Sequence, residues 1–142
     1  MNTTTINTDD TFVSNKRIWA SRILAGLPIA FLTLDAAIKL ARLAPAVTGT
    51  VQLGYPPSVV FGIGLVELVC VLAFAIPRTA IIGAVLLTGY LGGAVATHVR
   101  VGDPLATHIL TPFYVAAMVW GALLLRGRLR GLFAAPPARR MA

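Results

Sequence analysis

Four apolar segments, roughly residues 18–43, 58–76, 80–99 and 105–125, dominate this chain. Each has about the ~20 residues that carry an α-helix across a ~30 Å hydrocarbon layer. Composition points the same way, because 57% of the 142 residues are apolar and 12% charged, and only nine charges lie between Arg22 and Arg126. A water-soluble domain carries about 25% charged residues, so the solvent for this chain is lipid. The expected fold class is all-α: an integral membrane four-helix bundle, up-down-up-down, with both termini on one side.

The net charge of +7 is a topology signal. Nine Lys and Arg lie on the side that holds Lys16, Arg17, Arg22, the Arg78 turn and the C-terminal arginines, against Lys39, Arg42 and Arg100 on the other. By the positive-inside rule both termini are cytoplasmic, in the cell's inner (plasma) membrane. No basic stretch carries interleaved aromatics or a binding motif, so no nucleic-acid partner is expected. Three regions follow: a disordered polar lead-in over 1–15, the membrane domain over 16–126, and a basic cytoplasmic tail over 127–142.

The connections are turn-rich: residues 44–57 hold Pro45, Gly49, Gly54, Pro56 and Pro57, and Pro77-Arg78-Thr79 makes a tight second turn. In the third, Asp103 before Pro104 reads as a helix N-cap followed by proline at the first helical position. Pro112 should free the carbonyl of His108 and kink the last helix, in a stretch that faces protein or water. Gly89, Gly93 and Thr97 form a small-residue ridge suited to close helix approach, within the chain or in a homo-oligomer. The single cysteine, Cys70, excludes dithiol chemistry and reads as a small packing residue.

The polar residues inside the spans concentrate the functional question. Glu67 lies near mid-membrane, where a lone acid costs about 2.5–3.5 kcal/mol on insertion scales. Asp35, Lys39 and Arg42 share one helical face, so an Asp35–Lys39 pair lowers the cost while Lys39 and Arg42 snorkel outward. Counted from the outer ends of the segments, Asp35, Glu67 and Tyr90 lie eight or nine residues deep, about 12–14 Å at the helical rise. Lys39 and His108 lie about 6 Å deep, and His98 with Arg100 marks the mouth. This ladder in the outer half of the bundle has two readings: an ion-pair network that fixes helix register, or a site on a substrate, ion or proton path. Asp35, Glu67 and His98 are then the candidate proton carriers, and Lys39, Tyr90, Thr97, Arg100 and His108 the candidate ligand-binding groups. For His98 three roles stay open: proton carrier, haem or metal ligand with His108, or interfacial hydrogen-bonding residue. No metal-ligand spacing, Gly-rich phosphate loop or nucleophile elbow is visible.

Several stretches between Arg22 and Arg126 resemble the DoxX-like family of small integral membrane proteins. They are Asp35-Ala-Ala-Ile-Lys39, Leu53-Gly54-Tyr55-Pro56, Gly64-x-x-Glu67-Leu68, and the run from Ile76 through Thr88-Gly89-Tyr90-Leu91-Gly92-Gly93-Ala94 to Thr97-His98-Val99-Arg100-Val101-Gly102-Asp103-Pro104. The resemblance implies a four-helix membrane bundle. It also implies an association with membrane redox assemblies, since the wider family takes its name from a small subunit of a quinone-linked thiosulfate-oxidising complex. The leading expectation is an accessory subunit that binds a lipophilic molecule, with quinone as the candidate cofactor, beside a membrane redox partner. The rivals are an intramembrane acid–base enzyme, an isomerase or hydrolase acting on a hydrophobic small molecule, and a proton-coupled transporter or purely structural bundle.

Overall fold

The computed structural model describes residues 8–127, with side chains from residue 15 onward. Residues 1–7 of the expected lead-in and 128–142 of the expected tail lie outside them. Helix α1 (Thr8–Leu40) is followed by a short α2 (Ala44–Gln52), a 3₁₀ turn (Pro57–Val59), α3 (Val60–Ala75), α4 (Ala80–Val101), a π turn (Leu105–Ile109) and α5 (Thr111–Leu125). Four helical stretches, Asn15–Leu40, Pro57–Ala75, Ala80–Val101 and Leu105–Leu125, are long and apolar enough to cross a membrane.

Two boundaries differ from the sequence expectation. The lead-in is helical from Thr8. The 44–57 connection is not all turn: α2 occupies most of it, because Pro45 sits in the first turn, where its missing N–H costs nothing.

The other ends follow from local chemistry. Arg42 adopts a left-handed conformation (φ 50°) that breaks the chain away from α1. Ile76, ahead of Pro77, is extended and stops α3. Gly102 (φ 75°) closes α4, and the N–H of Asp103 returns to the carbonyl of His98 as in a Schellman cap. Pro112 falls in the first turn of α5, where its missing N–H breaks no bond inside that helix, and the irregular stretch is the preceding π turn, where the Leu110 N–H bonds to Leu105 O. The Thr111 hydroxyl donates to the Thr107 carbonyl at 2.7 Å, one turn back along the chain.

The spans form a ring: α1 packs on α3 and α5, α3 on α4, and α4 on α5. Neighbours run antiparallel, with Gly121 of α5 against Leu24 of α1 and Gly64 of α3 against Lys39. The glycines that another helix crowds are Gly64 and Gly83, not those of the Gly89/Gly93 ridge. A Cβ on Gly64 would lie 2.7 Å from Lys39 Cβ, one on Gly83 would strike the Phe74 backbone, and Cβ atoms at Gly89 and Gly93 would meet nothing within 4 Å.

Burial divides the bundle lengthwise. The buried apolar core (Ala25, Leu32, Val71, Phe74, Ala84, Leu87, Val119 and Leu123 among others) fills the end where α1 and α4 begin and α3 and α5 finish. Large apolar side chains such as Trp19, Leu27, Leu34, Val66, Ile82, Phe113 and Leu124 point outward, as expected where the surrounding medium is hydrocarbon.

Candidate functional site

The opposite end is polar and hollow. Asp35 and Lys39 stand one turn apart on α1, and the bare backbone of Gly64 on α3 lets the Lys39 stem lie against it, one turn before Glu67. The Lys39 ammonium donates to Asp35 Oδ2 at 2.6 Å, to Glu67 Oε2 at 2.7 Å and to the Tyr90 hydroxyl at 3.0 Å. Tyr90 in turn donates to Glu67 Oε2 at 2.8 Å. Three helices thus meet at one cation. Lys39 turns inward rather than snorkelling outward, because Glu67 is fully buried and its charge has to be met inside the bundle. Arg42 does leave the core and lies 5.9 Å from the Phe61 ring.

One atom of the cluster is unmatched: Glu67 Oε1 is buried and has no hydrogen-bond partner among the described residues. The cluster also holds two carboxylates against one ammonium. Buried carboxylate oxygens without donors are uncommon and call for a reason.

Above the cluster lies a cavity of about 510 Å³, within the range of small-molecule sites. Asp35, Lys39, Glu67, Tyr90, Thr97, His98 and His108 all line it, together with apolar walls from Phe31, Leu32, Ile63, Leu91 and Val115. Gly89 and Gly93 line it too; within the chain their missing side chains leave room in the cavity and no other span packs against them. At its upper end the His98 and His108 rings face each other at 5.5 Å, tilted by 55°. His98 Nδ1 pairs with Asp103 Oδ2 at 2.6 Å, and His108 Nδ1 with the Thr107 hydroxyl at 2.8 Å. Asp103 is therefore not the N-cap that its place before Pro104 suggests; no side chain caps the π turn. Among the described residues no group of three His, Cys, Asp or Glu could hold a metal ion.

Arg100 is the one predicted site residue that the cavity leaves out. Its guanidinium donates to the Leu53 carbonyl at 2.5 Å and lies 5.7 Å from the Tyr55 ring, while the Tyr55 and Thr97 hydroxyls are 3.2 Å apart. Arg100 thus ties the segment after α2 across the end of α4, and Leu53 and Tyr55 from that segment roof the cavity with Thr50 of α2. Thr50, Thr107 and Thr111 are lining residues that the residue pattern did not single out. Threonines in apolar helices ordinarily satisfy themselves on the preceding turn, as Thr50 and Thr111 do here, so their type carries little signal.

Fold and site together define a small multi-pass membrane protein with a polar-floored cavity in one half of a four-helix bundle. The model of the DoxX-like family matches residues 23–122, and the chain belongs to that family. No curated protein and no solved structure matches it.

Proposed function

We propose that this protein lies in the plasma membrane with both termini cytoplasmic and binds a lipophilic molecule by its polar headgroup in the outer-half cavity. In this reading it acts as an accessory subunit beside a membrane redox partner, with the quinone/hydroquinone couple as the candidate headgroup. The observation that carries the reading is the cavity itself, with apolar walls over a floor of Asp35, Lys39, Glu67 and Tyr90. Small-molecule sites combine a mostly apolar lining with a few convergent polar groups in this way. The redox association rests on family membership, and the orientation on the distribution of Lys and Arg.

The test is to extract the full chain in mild detergent and analyse co-purifying lipids and proteins by mass spectrometry. A lipophilic species at roughly one per chain is expected, lost in Gly93→Leu, whose added side chain would enter the cavity without meeting packed neighbours. A wild-type protein that carries no such species and takes up none when it is supplied would overturn the proposal.

The unbroken hydrogen-bonded chain Asp35–Lys39–Glu67–Tyr90 favours one second reading, an intramembrane acid–base catalyst. Under it Glu67→Gln abolishes turnover of a hydrophobic substrate while the bundle stays folded.

A further inference from the structure

Lys39 has three N–H donors and all three are spent, on Asp35 Oδ2, Glu67 Oε2 and the Tyr90 oxygen. The single O–H of Tyr90 is spent on Glu67 Oε2. The floor of the cavity therefore has no donor left to offer. Acceptors remain: Asp35 bonds Lys39 through Oδ2 alone, and its side chain is 41% exposed. Glu67 Oε1, on a fully buried side chain, has no partner among the described residues. Both residues line the cavity. Higher up, the Thr97 and Thr111 hydroxyls are committed to the carbonyls of Gly93 and Thr107, and the donor that the Thr107–His108 pair keeps, whichever of the two donates to the other, lies at the mouth and not at the floor.

From this imbalance we infer that the floor of the cavity selects amphiphiles whose head donates hydrogen bonds, taking a hydroxyl in preference to a carbonyl or an ether. The inference rests on reading the cavity as a lipophilic site and sharpens it. A quinone presents only acceptor oxygens, which the floor cannot meet, whereas a hydroquinone, a phenol or a long-chain alcohol presents the O–H that Asp35 lacks. The hydroxyl head sits at Asp35, at the level of the Lys39 cluster, and the apolar body lies among Leu32, Ile63, Leu91 and Val115. An acceptor head in the same place leaves two sets of oxygens facing each other with no proton between them, and such mismatches discriminate strongly in a site built to hydrogen-bond.

The probes are para-octylphenol and para-octylanisole, which share ring and tail and differ in one O–H. Binding to the full wild-type chain in detergent micelles is measured by calorimetry, corrected for partition into protein-free micelles. The phenol is expected to bind about tenfold more tightly or better, a difference of ~1.4 kcal/mol. In Asp35→Asn the amide oxygen replaces Oδ2 as acceptor for Lys39 and the NH₂ supplies a donor to the cavity, so the ratio should fall towards one. Equal wild-type affinities, a tighter ether, or a ratio unchanged in Asp35→Asn overturn the donor-head inference and leave the binding-site reading standing. If neither probe binds, both fall. The wild-type ratio decides the matter by itself should the variant fail to fold.

Discussion

Replacing Lys39 with methionine removes the only cation that touches Glu67 among the described residues. The stem volume is roughly kept, so the loss is chiefly electrostatic. Glu67 is fully buried and would be left with the Tyr90 hydroxyl as its one donor, next to a second carboxylate on Asp35. Breaking a buried ion pair from one side costs about 3–5 kcal/mol, because the desolvated partner stays behind without compensation. Asp35 adds less, since its side chain is 41% exposed and its charge correspondingly screened. Lys39→Met should therefore lose about 3–5 kcal/mol. Glu67→Met should lose less, because Lys39 keeps Asp35 and Tyr90 as partners. The Lys39→Met/Glu67→Met double variant should be more stable than Lys39→Met alone, as apolar replacement of both members of a buried pair is often close to neutral. Equilibrium unfolding by sodium dodecyl sulfate in mixed micelles, followed by the fluorescence of Trp19 and Trp120, reads all three. A Lys39→Met loss below about 1 kcal/mol, or a double variant as unstable as the sum of the singles, would refute the reasoning, because the pair would then not behave as a unit.

Further expectations concern packing, the roof and orientation. Gly64→Ala puts a Cβ 2.7 Å from Lys39 Cβ and 3.2 Å from Ala36 O, and should cost about 1–3 kcal/mol by overpacking. Gly93→Ala, with nothing within 4 Å of its Cβ, should fall within about 0.5 kcal/mol of wild type or gain from helix propensity; melting curves in detergent compare the two. Arg100→Ala frees the Leu53 carbonyl and the Tyr55 ring, so amide hydrogen exchange should accelerate from Thr50 to Tyr55 while bundle stability stays within about 0.5 kcal/mol. Thr48→Cys, exposed on α2, should react with a membrane-impermeant maleimide from outside intact cells; reaction only after the cells are opened would reverse the proposed orientation.

The spans could be read from sequence because length and apolarity are sufficient criteria in a bilayer, and the level of Asp35, Glu67 and Tyr90 because every helix rises by the same increment from ends marked by proline, glycine and charge. Direction was harder to read. Lys39 could run outward along α1 or inward to α3, and what decides is Gly64, a residue whose meaning appears only when the partner helix is in place. The Gly89/Gly93/Thr97 ridge shows the converse: small residues permit close approach without requiring it, and here they leave space. Asp103 had two destinations, a backbone cap and the His98 ring; the Schellman turn at Gly102 settled it by bringing the carboxylate back over the end of α4. The short helix α2 was hidden by its own proline, which breaks a helix in the middle but begins one well.

The lengthwise division of the bundle bears on what occupies it. Helices in lipid are held by van der Waals contact rather than by release of water, so the packed half around Phe74, Leu87, Val119 and Leu123 carries the association. If the other half were sealed and dry, 510 Å³ of lost contact would cost on the order of 10 kcal/mol at about 24 cal/mol per Å³, as much as the whole stability of many domains. That cost argues against a dry cavity with bare acceptors on its floor. Water satisfies the acceptors of Asp35 and Glu67 but gains nothing from Leu32, Ile63, Leu91 and Val115, and a lipid acyl chain satisfies those walls but leaves the acceptors bare. An amphiphile with a hydroxyl head meets the Asp35 acceptor and covers those walls at once, which joins the donor-poor floor and the empty ridge at Gly89 and Gly93 in one explanation.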